Sequence, residues 1–124
     1  QGVPHILANA CWGTDKPWTA KWNSKAIPFT HFTDRDAQWV DKFHVWRMDW
    51  DEQSIRLYLD DELLNEISQA EAVNGKLGNG EQPFKKPQYL LLNLALGGDN
   101  GGEIDDSALP MKYFIDYVRV YQKK

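Results

Sequence analysis

Three histidines, one cysteine and several acidic pairs are the residues of this chain that could do chemistry. His5, His31 and His44 stand 26 and 13 residues apart, with no H-x-x-x-H pair and no second cysteine, so the spacing does not predict a zinc site. Cys11 excludes an internal disulfide, has no local thiol-enzyme signature around it, and there is no G-x-S-x-G elbow. Gly97-Gly98-Asp99-Asn100-Gly101-Gly102 lacks the Lys-Ser/Thr ending of a phosphate loop. Paired carboxylates could serve acid/base chemistry, but Asp51-Glu52, Asp60-Asp61-Glu62 and Asp105-Asp106 all fall where turns are predicted, and turns favour Asp for its local hydrogen bonding. The residues alone therefore give no catalytic set.

The elements that would position such groups have a period of two. Ile6 to Trp12 reads as a strand. In Phe43 to Trp50, His44, Trp46, Met48 and Trp50 share one face, as a half-buried strand requires. Ile55 to Leu59 alternates again with Ile55, Leu57 and Leu59 inward. Asp60-Asp61 predicts a tight hairpin, and Leu63 to Ile67 the returning strand. A long loop over 68–86, with one helical turn near Ser68 to Val73, leads to the apolar run Tyr89 to Leu96, read as a strand covered on both faces. A last strand is expected in Met111 to Tyr121. Several strands, turns and little helix predict an all-β sandwich in a single domain, 1–124.

Composition narrows the partners. The net charge is −4 and the basic residues are scattered, which argues against nucleic acid. There is no membrane span and no visible signal peptide. Sixteen aromatic residues, six of them Trp, are many for 124 residues; indoles fill sandwich cores and also stack on ligands. Trp12, Trp18 and Trp22 sit in or beside a predicted Gly/Pro/Lys-rich loop and are candidate ligand platforms, whereas Trp39, Trp46 and Trp50 are expected in the core.

Four segments, in order, resemble glycoside hydrolase family 16, the laminarinase and licheninase family: Phe43 to Trp50, Ile55 to Asp60, Tyr89 to Gly98 ("YLLLNLALGG") and Phe114 to Gln122 ("FIDYVRVYQ"). Ile6 to Gly13 resembles the family strand directly after the catalytic one. The resemblance implies a concanavalin A-like jelly-roll β-sandwich, a partial one here, and a retaining endo-acting β-glycan hydrolase of β-1,3- or mixed-linkage type. The family's E-x-D-x-(x)-E motif supplies nucleophile, tuning Asp and acid/base. It is not in this chain; Glu103-Ile104-Asp105 copies its first half but has no second Glu and lies in the wrong loop. The expectation is that the catalytic strand lies upstream of Gln1, that the 124-residue chain is the C-terminal portion of the domain, and that alone it is inactive.

What the resemblance leaves to this chain is a substrate cleft lined by Asn9, Cys11, Trp12, Trp18, Trp22 and Asn93. Cys11 departs from the polar or aromatic pattern there, and Ala95 stands where the family often has Trp. Asp116 matches a structural Ca²⁺ position, with a surface pairing to Arg119 as the alternative; no cofactor is required. The implied partner is a polysaccharide, the implied location secreted, periplasmic or cell-surface, and exposed sheet edges imply self-association of the isolated chain. A non-catalytic, lectin-like glycan-binding module is the alternative reading.

Overall fold

A computed structural model describes residues 3–123, which divide into two units, one up to Gln88 and one from Tyr89 onward. Among the described residues all strands lie in the first unit and pair antiparallel in two sheets, so the chain is all-β as expected.

The first sheet is a hairpin of β1 (His5–Gly13) and β2 (Ala20–Pro28), in register from His5 opposite Pro28 to Gly13 opposite Ala20. Along β1 the alternation is clean: Ile6, Ala8 and Trp12 are buried, Leu7 and Cys11 exposed. The sequence AKWNSKAIP of β2 carries little apolar alternation, and it reads as loop when taken alone. It becomes a strand because β1 supplies a full ladder of backbone partners.

The second sheet is the meander β3 (Trp46–Trp50), β4 (Ser54–Leu59), β5 (Glu62–Ser68). The turn between β3 and β4 closes on Asp51, whose Oδ1 accepts from the amides of Gln53 and Ser54 at 2.8 Å each. Asp60 and Asp61 form the two-residue turn between β4 and β5 with φ of 47° and 65°. Both central residues at positive φ match the twist of the flanking strands. A bulge follows: Leu57 faces Asn65 and Tyr58 faces Leu63, so Leu64 is the extra residue. One inserted residue inverts the alternation. It lets Leu64 pack on the core and still turns Asn65 and Ile67 inward.

Two apolar clusters form the core. Trp12, Ile55, Ile67 and Ala72 gather with Phe84 against them; Ile6, Phe32 and Leu59 gather with Trp39 and Leu64. Phe32 comes from the one-turn helix α1 (Thr30–Thr33), and its ring stacks on Trp39 at 4.7 Å. Buried Asn65 ties the two sheets together, its Nδ2 donating to the Ala8 carbonyl at 2.8 Å and to Asn23 Oδ1 at 2.9 Å. The 68–86 segment has one helix-like turn, where the Ala72 amide reaches the Ser68 carbonyl, and short 3₁₀ turns at Lys76–Gly78 and Pro83–Lys85.

Two of the expected core indoles differ. The register puts Trp46, Met48 and Trp50 on the same face as Leu59, Leu57 and Ile55, as the alternation predicts. Yet all three are exposed, because β1 and β2 pack against β5 and leave the edge strand β3 uncovered within this unit. Trp39 is half-buried and packs as expected.

In the second unit the only regular elements among the described residues are a helical turn, α2 (Gly98–Gly101), and a 3₁₀ turn at Asp106–Ala108. The expected strands over 89–96 and 111–121 carry no ladder there, and their apolar side chains are exposed. Apolar, β-branched sequence favours extended backbone, but a strand is completed only by a neighbour that takes up its N–H and C=O groups.

Candidate functional site

Because β1 turns its even-numbered side chains into the core, its odd-numbered ones form the opposite face of the hairpin. The register sets Asn9 opposite Ser24 and Cys11 opposite Trp22, so Asn9, Cys11 and Trp22 share this face. Trp22 is 60% exposed and Cys11 is a free, exposed thiol. Asn9 is half-buried, and its Oδ1 accepts from the Lys25 amide at 3.1 Å, which fixes the amide plane across the two strands. Trp18 stands at the tip of the hairpin with φ of 57°, and its exposure is 105%. The face thus offers an indole surface and an oriented carboxamide, the pairing that stacks on a sugar ring and hydrogen-bonds its hydroxyls.

Trp12 belongs to the other side. It is 6% exposed, packs edge-on to Phe84 at 6.4 Å, and has the Lys21 ammonium 5.6 Å from its ring centre. Its place in the alternation, one residue from Cys11, puts it in the core and not among ligand platforms. Asn93 and Asp116 are both exposed residues of the second unit. Calcium takes six to eight oxygen ligands. Among the described residues no three carboxylate, histidine or cysteine side chains gather. Arg119 lies over the Tyr117 ring at 4.4 Å.

The acidic residues do turn and ion-pair work. Asp60 accepts from the Val45 amide at 2.8 Å and pairs with His44 at 2.5 Å. Asp105 Oδ1 accepts from the amide and hydroxyl of Ser107, which hold its carboxyl below the usual range. Glu62 binds Arg35 and His31, and these hydrogen bonds lower its pKa. Periodicity gives no hint of this last cluster, since α1 and the turn after it bring His31 and Arg35 to β5 from 31 and 27 residues away.

Two concavities lie elsewhere. One of about 350 Å³ is lined by Gln53, Ser54, Arg56, Glu66, Ser68 and Glu71, and one of about 150 Å³ lies between α1 and the β4–β5 turn. Neither contains a residue of the hairpin face, and the larger has no aromatic lining. No helix among the described residues is long and apolar enough to cross a membrane.

Comparison with known proteins places these elements. The model of glycosyl hydrolases family 16 matches residues 18–119. The chain is similar to a beta-glucanase of Rhodothermus marinus, 34% identical over 82 residues that make up 64% of this chain and 29% of that protein. It is 31% identical over 97 residues to glucan endo-1,3-beta-glucosidase A1 of Niallia circulans, covering 76% of this chain and 14% of that one. A beta-1,3-glucan-binding protein of Penaeus monodon is 30% identical over 109 residues, 77% of this chain and 30% of its own. The matches thus span less than a third of each of these relatives. No solved structure matches.

Proposed function

The chain belongs to glycosyl hydrolase family 16, and from that premise we propose that it is the polysaccharide-binding portion of a retaining, endo-acting β-glucan hydrolase. The carrying observation is the hairpin face. β1 and β2 bring Asn9, Cys11 and Trp22 together, with Trp18 at the end, in a chain whose similar proteins include a beta-glucanase and a glucan endo-1,3-beta-glucosidase. In this reading a β-glucan lies along the face, with a pyranose ring on the Trp22 indole and a hydroxyl on the Asn9 carboxamide.

Retaining cleavage needs two carboxyl groups about 5–5.5 Å apart on either side of the glycosidic bond, one as nucleophile and one as acid/base. The E-x-D-x-(x)-E strand that would carry them is not in this sequence. We assign that step to residues outside the 124, with the chain as the C-terminal portion of the domain, working outside the cytoplasm on an extracellular polymer. The pure chain is then a binder without turnover, and release of reducing ends from a β-1,3-glucan above a buffer control would refute this. Titration with the same glucan, followed by indole emission, should give a saturable change that Trp22→Ala largely removes. An emission spectrum indifferent to the polymer would sink the binding role.

The second reading, a lectin-like module with no catalytic partner, is favoured by the similarity to a beta-1,3-glucan-binding protein. Coding sequence that adjoins Gln1 discriminates the two: an E-x-D-x-(x)-E strand there supports the hydrolase.

A further inference from the structure

The tip of the β1–β2 hairpin is held more firmly than a surface loop requires. Gly13 donates its amide to Asn74 Oδ1 at 2.8 Å, and the Gly75 amide donates to the Gly13 carbonyl at 3.0 Å. The Lys76 amide donates to Asp15 Oδ1 at 2.6 Å. Across the loop the Thr14 hydroxyl donates to the Thr19 carbonyl at 2.9 Å. The 74–76 segment lies so close that a Cβ on Gly75 would sit 2.4 Å from the Thr14 carbonyl carbon and 2.5 Å from the Asp15 nitrogen. On this braced tip, directly after Pro17, stands Trp18 in a left-handed conformation that Gly or Asn adopts far more readily. At 105% exposure the indole is uncovered by the described residues, so core packing does not account for it. Strained backbone survives where surrounding structure imposes it, and it clusters at ligand-binding sites.

Building on the glucan-binding reading, we propose that residues 13–19, braced by 74–76, form a rigid arm carrying Trp18 as a second sugar platform, separate from Trp22, which selects long glucan chains over short ones. Trp22 lies two residues inside the ladder that ends at Ala20, and Trp18 two residues beyond it. In this proposal a glucan seated on Trp22 reaches Trp18 only by extending toward the hairpin tip. Asp15 and Asn74 are positioning residues: they touch no sugar and hold the arm. An indole face suits the apolar CH face of a pyranose. The net charge of −4 disfavours the anionic lipid surface that an exposed Trp could otherwise enter.

The test compares a β-1,3-linked disaccharide with a long-chain β-1,3-glucan, using the whole 124-residue chain. Trp18→Ala should weaken polymer binding about three- to tenfold, the size of one ring-stacking contact, and leave disaccharide binding unchanged. Asp15→Ala should reproduce that loss, and Asp15→Asn, which keeps the accepting oxygen, should restore it. Trp18→Gly should raise the melting temperature while losing polymer affinity, which separates binding from folding. Unchanged polymer affinity in Trp18→Ala overturns the arm but leaves the Trp22 face standing, as does an equal loss for both ligands. Trp18-dependent capture of anionic vesicles in place of glucan overturns it too. Failure of the unaltered chain to bind either glucan removes the underlying reading and the arm together.

Discussion

Glu62 shows how a single carboxylate can couple the fold to pH. It accepts from Arg35 at 2.7 Å and His31 at 2.5 Å, and the Arg35 hydrogen bond is the larger cause of its lowered pKa. A carboxyl whose folded pKa is depressed contributes stability that is present above its unfolded value, near 4.3, and lost as pH falls through the lower folded value. Asp36, lowered by its hydrogen bond to Lys42, adds to the same acid limb. Melting temperature is therefore expected to fall below about pH 4.3, and Glu62→Gln should flatten part of that fall; an acid limb identical in the variant would contradict the assignment. The effect is modest, because the Glu62 and Arg35 side chains are both more than a third exposed and solvent screens them. Core residues weigh more. Leu59 is 1% exposed, and Leu59→Ala should cost about 2–5 kcal/mol in denaturant unfolding. Asn65→Ala leaves the Ala8 carbonyl without its side-chain donor and should cost about 1–3 kcal/mol.

At the scale of elements, local chemistry was readable and pairing was not. Asp60-Asp61 announces its hairpin because short polar residues tolerate positive φ, and β4 and β5 follow from alternation on either side. Asp61→Gly should be neutral to stabilising by up to about 1 kcal/mol, since glycine meets φ of 65° without steric cost. Deleting Leu64 should keep the ladder in register, with Asn65 still opposite Leu57 and Ile67 still inward, and should destabilise only through the lost packing of the Leu64 side chain. The Asn9, Cys11 and Trp22 grouping depends on β2, whose lysines and serine hide a strand that exists only through its ladder with β1. Trp18 therefore stands at the tip of a short hairpin connection, not within a long loop. Trp12 lies in the core and not on the hairpin face for a related reason: one position along a strand separates solvent from core. The alternation in β3 was legible, but what covers its Trp46 and Trp50 was not, since coverage is a property of the neighbouring layer.

At the scale of the molecule, family 16 membership fixes the fold class as a jelly-roll β-sandwich, and the described residues form a two-stranded and a three-stranded antiparallel sheet. Leu90, Leu91, Phe114 and Tyr121 are exposed in a unit whose apolar segments lack ladder partners among the described residues. Extended apolar segments with free backbone groups are templates for association. Light scattering on the isolated chain should find dimers or larger species, and a monodisperse monomer at high concentration would count against this. Electrophoresis through a native gel containing a β-1,3-glucan tests the hairpin face as a glucan-binding surface. The chain should be retarded relative to a glucan-free gel, and less so with Trp22→Ala; equal mobility in the two gels would mean that the face does not bind glucan.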